Sequence, residues 1–387
     1  MKVEPRLRAI LAQEYPRFSD AEYERRRVAL AALMQRHDVD HLLVVTDHRA
    51  GNAPQWLTGW PGTVEAYAVF KPGETITMHV EWFNHYPLAK RIAGACDVRW
   101  GEHKGIQNTA DELKRRGAKR VGLIGPLVAS KVRAIERDFD LVLLDAQYVQ
   151  VRLVKSEEEI DWMRIGAALS DAGLQELLSH TKVGLTEREL ADLVERAYVA
   201  HGGTTFIHYI GVTSMADPQL CVPPQFASSR KTCAGDIVFC ELSASWWDYA
   251  GQVLRSFAIG DDPTPLYRDL HATAEAAFDA VTRKIRHGAT MQELVDASSV
   301  IEERGFTTYD DLLHGFGGGY FPPILGSKSR PAGPLPQMKL EENMTVVVQP
   351  NVVTPDHKAG VQVGELVRVT RSGFERLHSA PRGFFRV

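Results

Sequence analysis

The chain has 387 residues, 44% of them hydrophobic and 24% charged, which is a globular mixture long enough for two cores and too rich in apolar residues for disorder. A formal net charge of -4 supplies no field to recruit nucleic acid, and no run of about 18 apolar residues could span a bilayer. The N-terminal segment MKVEPRLRAILAQEYPRF interrupts its apolar positions with charges, unlike a secretory leader, so a cytoplasmic location is expected.

Four cysteines, Cys96, Cys221, Cys233 and Cys240, show no C-x-x-C spacing, which argues against a zinc knuckle; in a cytoplasmic chain it also argues against disulfides. Residues 20–37 carry Tyr23, Val28, Leu30 and Leu33 near helical spacing and predict a first amphipathic helix. HLLVVTD, WLTGW, AYAVFKPGETITMHV, RVGLIG and DLVLLD read as strands, with KPGE as a hairpin turn. Residues 106–116 read as a helix capped by Asn108 or Thr109. This alternation predicts a small α/β domain over residues 1–152.

A second domain, 153–387, opens at Ser156, whose hydroxyl and the Glu159 carboxylate make a capping box for a helix from Glu157 to about His180. Thr186 and Glu189 repeat that device for a helix to about His201. Strands follow over 235–260, then helices over 265–287 and 290–304, then strands in TVVVQPNVVT and GVQVGELVRVT. Helix-helix-strands therefore occurs twice, as in a pseudo-symmetric domain of mixed α+β class.

The order RLVKSEEEI, GLTEREL, AGDIV resembles the pita-bread family of prolidase, aminopeptidase P and creatinase, and the resemblance covers nearly the whole chain. It implies a creatinase-type N-terminal α/β domain, a pita-bread catalytic domain, and a homodimer in which the N-domain caps the partner's pocket, with WLTGW as apolar contact surface. Metal-dependent members hold two ions on five ligands, two Asp, one His and two Glu, and the bridging water is the nucleophile. Carried over one at a time, those positions fall on Glu241, Gln252, His314, Gln349 and Gly364. Only Glu241 and His314 keep a ligand-type side chain, and Glu365, one residue late, should face the other side of its strand. The resemblance thus implies a member without the usual metal centre, and no cofactor is expected. A further family histidine is replaced by Pro224, and creatinase's two active-site glutamates fall on Leu254 and Gln349, so creatine is not implied as the substrate.

The expectation that follows is metal-independent hydrolysis of an amide, ureido or guanidino C–N bond in a small polar molecule. Glu241 would be the base that activates water and His314 the acid; Glu241 could instead be a structural carboxylate. Gln252 and Gln349 would orient the substrate, and Arg255 would either clamp its carboxylate or pair with Glu241. Asp248 and Tyr249 are placed at the cavity edge and His208 beside it, with Trp60 and Glu65 in the N-domain region implied to reach a pocket. Three rivals stay open: a metal-dependent Xaa-Pro dipeptidase with unusual ligands, a lyase or isomerase on the same scaffold, and a non-catalytic binding module.

Overall fold

The computed structural model describes residues 3–48 and 50–387. They divide into two compact units: Ala12–Arg152, and Met1–Leu11 together with Leu153–Val387. A short helix α1 (Pro5–Leu11) belongs to the second unit.

The first unit runs α2 (Asp20–Arg36), β1 (His41–Thr46), α3 (Ala53–Thr58), β2 (Ala66–Phe70), β3 (Thr77–Val80), α4 (Tyr86–Ile92), β4 (Asp97–Trp100), α5 (Gly105–Arg115), β5 (Arg120–Ile124), α6 (Ala129–Glu136), β6 (Asp140–Leu143) and α7 (Asp145–Val151). Its six strands form one mixed sheet in the order β4-β3-β2-β1-β5-β6, with β1 antiparallel to β2 and parallel to β5. HLLVVT and AYAVF are buried throughout and mostly apolar because helices cover both faces of the sheet. Alternate β1 residues supply two cores: Leu42 and Val44 pack with Leu30, Trp56 and Trp60, while Leu43 and Val45 pack with Tyr67, Ile106 and Leu123. KPGE turns the chain from β2 into β3 as the sequence indicates.

Two readings are corrected. WLTGW is the end of α3, not a strand: Pro54 sits in the first turn, and Gly59 closes the helix in the left-handed conformation at φ 85°. Trp56, Leu57 and Trp60 are all buried within this unit, so the segment supplies no exposed apolar surface for a dimer. Helix α5 begins after Lys104, and Asn108 and Thr109 lie inside it, bonding back to the carbonyls of Gly101 and Gly105.

The second unit opens with α8 (Glu157–His180) and α9 (Glu187–Val199), each started by the capping box read from sequence. Then come β7 (Thr204–Ser214), β8 (Asp236–Trp246), β9 (Tyr249–Ala258), α10 (Pro265–Thr282), α11 (Met291–Ala297) and α12 (Val300–Glu303). The single helix expected over 290–304 is broken between α11 and α12, where the Ser298 and Ser299 hydroxyls bond to carbonyls three residues back. The chain closes with β10 (Thr307–Thr308), β11 (Leu313–Phe316), β12 (Tyr320–Leu325), β13 (Thr345–Val348), β14 (Val352–Val353), β15 (Gly364–Val369), β16 (Phe374–Arg376) and β17 (Phe385–Arg386).

The main sheet runs β12-β11-β13-β15-β9-β8-β7, with β16 beside β15 and β17 beside β9. Helix α8 lies so close to β9 that a Cβ on Gly251 would collide with the Ala167 backbone. The Ser170 hydroxyl ties α8 to both central strands, donating to Gly251 O of β9 at 2.6 Å and accepting from Ala244 N of β8 at 2.8 Å. Strand parity then fixes two faces. Tyr249, Gly251, Val253 and Arg255 lie on the α8 side, and Gln252 and Leu254 on the opposite side. Among the described residues no helix is long and apolar enough to cross a membrane.

Candidate active site

Across β8, Glu241 is paired with Tyr209 of β7 and Leu254 of β9, all on the face turned away from α8. Gln252 is the diagonal neighbour, opposite Ser243, and its amide Nε2 donates to Glu241 Oε1. The same oxygen accepts from the Tyr320 hydroxyl at 3.4 Å.

His314 stands on β11 opposite Val347, and its ring stacks on Tyr320 with centroids 4.1 Å apart. Tyr320 therefore touches both residues expected to move protons. The turn that delivers it, Gly317-Gly318-Gly319, has φ values of 138°, 75° and 135°, which only glycine adopts without strain in succession. Gln349 follows β13, and its side chain faces the His314 ring. Gly364 completes the face opposite Leu254. A Cβ there would strike Val348 O and come within 2.9 Å of Gln349 Cα, so no side chain fits at this position.

Burial sets the charge states. Glu241 is 5% exposed, and removal from water, with a smaller contribution from the Asp310 charge, pushes its carboxyl up to about 8. His314 is fully buried, and desolvation lowers it to about 4 despite opposing help from Gly315 O and Gln349. At neutral pH the carboxyl thus carries a proton and the imidazole does not. His314 Nδ1 lies 3.1 Å from Gly315 O, which assigns the ring proton to Nδ1 and leaves Nε2 with a free lone pair.

Sequence reasoning missed two residues of this site. Tyr320 follows a glycine run that could have marked it as an aimed side chain. Asp310 precedes LLHGF; burial, and then the Asp311 charge, raise it to about 7 against two bonds from Asn351 Nδ2 at 3.0 and 3.1 Å. Removing the Tyr320 hydroxyl while keeping its ring gives a direct test. Tyr320→Phe is expected to lower kcat about threefold to tenfold with little change in KM, the worth of one modest hydrogen bond in the transition state. An unchanged kcat would mean the hydroxyl does not position Glu241.

Other candidates lie elsewhere. His208 belongs to the opposite parity of β7: its Nε2 is 2.8 Å from Tyr198 OH of α9, and Nδ1 is 2.6 Å from Ile207 O. Arg255 is turned to the α8 side, where it donates to Glu365 Oε2 at 2.8 Å and to the carbonyls of Gly364, Leu254 and Pro381. Neither a substrate clamp nor a pairing with Glu241 is open to it. Glu365, fully buried, also binds Arg376, so the one-residue offset does turn it from the site. Tyr249 donates to Glu159 Oε1 at 2.8 Å and packs edge-on against Trp162, both on α8. Asp248 sits with Trp247 in the tight β8–β9 turn at positive φ, about five strand residues, or roughly 16 Å, from Glu241. In the first unit Glu65 binds Lys131 and the Tyr67 hydroxyl, and Trp60 is buried in the core beside His85. Each is satisfied within its own unit.

Cys221 is buried, and desolvation raises its thiol pKa, so it is no nucleophile at rest. Among the described residues no group of three or more His, Cys, Asp or Glu is placed to hold a metal ion.

Comparison with known proteins bears on this geometry. The model of metallopeptidase family M24 matches residues 161–371, in line with the motif order noted above. An Xaa-Pro dipeptidase of Pyrococcus horikoshii is 22% identical over 353 residues, 90% of this chain and 95% of the relative. The uncharacterized peptidase YqhT of Bacillus subtilis is 26% identical over 295 residues, covering 73% and 79%. Among solved structures, an Xaa-Pro dipeptidase from Bacillus anthracis superposes with a TM-score of 0.81 at 20% identity, over 94% of this chain and all of that one. The prolidase of Pyrococcus horikoshii gives 0.79 at 20% identity over 93% and 99%. The fold is thus an N-terminal α/β domain followed by a curled antiparallel pita-bread domain.

Proposed function

We propose, for a chain that belongs to metallopeptidase family M24, a hydrolase that cleaves a C–N bond of a small polar substrate by proton transfer between His314 and Glu241. A bridged pair of divalent ions needs several ionised carboxylates, both as hard ligands and to offset the repulsion between the ions. The five corresponding positions here offer one carboxyl, one imidazole, two uncharged amides and a glycine with no room for a side chain. That set does not fit two ions.

The observation that carries the reading is a buried carboxyl and a buried imidazole on one sheet face, joined through Tyr320, with their protonation inverted by burial. The inversion exchanges the roles expected from sequence. His314 Nε2 is the base: it takes a proton from water as the water oxygen bonds to the substrate carbonyl carbon. Both donors to Glu241 reach Oε1, so Oε2 carries the proton that passes to the leaving nitrogen as the C–N bond breaks. The products are an acid and an amine, and proton exchange with solvent restores the pair. Gln252 and Gln349 hold the substrate.

Chelator-treated enzyme, assayed on a panel of small amides, ureides, amidines and Xaa-Pro dipeptides, tests this. Turnover of a non-peptide C–N bond that survives chelation is expected. A second reading, an Xaa-Pro dipeptidase, is favoured by the relatives of that name. Turnover confined to Xaa-Pro dipeptides and dependent on added Mn2+ would establish it and end the first.

A further inference from the structure

Burial on the site face ends at the two outermost strands of the main sheet. In its middle rows Ser243, Gln252, Leu254 and His314 are fully buried. At the margins Phe206 of β7 is 38% exposed, and Tyr320 and Ile324 of β12 are 41% and 43% exposed. Ile324 is paired with His314 and Tyr320 with Phe316, so both lie on the His314 side of β12. Although β7 and β12 stand at opposite ends of the strand order, the sheet curls until their side chains converge. The Phe206 ring meets Phe316 edge to face with centroids 5.7 Å apart, and Phe316 in turn meets His314 at 5.6 Å and Tyr320 at 5.8 Å. Tyr209 of β7, half-buried opposite Glu241, is near enough to Tyr320 for the two phenols to act on one another through space. An apolar wall, partly open, thus borders the carboxyl and the imidazole.

Apolar surface left open beside a few convergent polar groups is the usual composition of a small-molecule site. Continuity decides the occupant. Tyr320 touches both Glu241 and His314, so a C–N bond held between those two brings the neighbouring atoms of the same molecule against this wall. We infer that Phe206, Tyr320 and Ile324 are the specificity residues of the site, and that the substrate carries a flat apolar group, of the phenyl class, next to its polar C–N group. A charged group there would give up water and gain no polar partner from Phe206, Phe316 or Ile324. A flat ring instead extends the edge-to-face and stacked contacts already made among Phe206, Phe316, His314 and Tyr320. The inference rests on the proposed hydrolysis for placing the substrate on this face, but its test reads binding alone.

Benzamide and acetamide present the same amide and differ in the group beside it. Calorimetric titration of the full-length protein is expected to show benzamide binding about tenfold or more tighter than acetamide. Phe206→Ala and, separately, Ile324→Ala should each weaken benzamide by about threefold or more and leave acetamide unchanged. Both side chains are partly exposed, so the variants should keep the wild-type melting temperature. Phe83→Ala, which removes an aromatic ring exposed in the first unit, should change neither affinity. Acetamide binding as tightly as benzamide, no saturable binding of benzamide below about 20 mM, or benzamide affinity untouched in both wall variants would each overturn the inference. If the preference fails while small amides are still turned over, the hydrolysis stands. The expected preference in a protein that turns over no C–N bond keeps the wall and removes the reaction.

Discussion

Glu241→Gln is expected to cut turnover about a hundredfold or more, because it deletes the one acid on the site face that touches both Gln252 and Tyr320. The amide keeps the shape of the carboxyl and can still meet its neighbours, but it cannot give up a proton. His314→Ala should fall by a similar factor, and the double variant should be little worse than the worse single one if the two act as a unit. The same substitution has a signature in stability that needs no substrate. A carboxyl whose folded pKa is raised binds its proton more tightly folded than unfolded, so its contribution is present at low pH and lost as pH rises through the folded value. For Glu241, at about 8, and Asp310, at about 7, the loss spans the interval from the ordinary carboxyl range to about pH 8. The buried histidines act in the opposite sense. His79, His208, His271 and His314 are all lowered to about 4 by burial and lose stability as pH falls below the ordinary histidine value. Wild-type stability should therefore peak at about pH 6 to 6.5 and decline toward pH 8. Glu241→Gln should flatten the alkaline decline, leaving the share that belongs to Asp310. Urea titrations at pH 6, 7 and 8 read this; an equally steep decline in the variant would show that Glu241 is not held neutral.

Arg255→Ala should destabilise the protein by roughly 3–5 kcal/mol, the usual loss when one partner of a buried ion pair is removed. Arg255 is 1% exposed and Glu365 is fully buried, and the arginine also satisfies the carbonyls of Leu254, Gly364 and Pro381. Arg376 would still pair with Glu365, which places the loss toward the lower end of that range. Substrate affinity should not change in whatever fraction stays folded, because Arg255 points to the α8 side. A variant of wild-type melting temperature with a raised KM would restore Arg255 as a substrate clamp.

How much of this was legible in the sequence depended on the range of the signal. The capping boxes at Ser156 and Thr186 are local chemistry and were readable outright. So was the displacement of Glu365, since strand parity follows from counting once Gly364 is aligned. WLTGW was misread because a short apolar run looks the same in a buried helix end as in a strand; Pro54 and Gly59 were the punctuation that could have decided it. Arg255 and His208 were assigned to the site although each lies one step out of phase, and composition does not say which residue of a strand faces which layer. The positions of Glu241 and His314 were legible, but their roles were not, because protonation is set by burial that only the folded chain displays. Asp310 and Tyr320 reach the site across separate strands and loops, with no motif to announce them.

The claim on which the rest depends is that this family scaffold works here without its pair of ions. Elemental analysis of protein purified without chelators, paired with turnover before and after chelation, tests it most directly. The predicted result is well under one equivalent of Mn, Fe, Co or Zn per chain and turnover that chelation does not change. Two equivalents per chain, lost together with activity and restored with it, would contradict it.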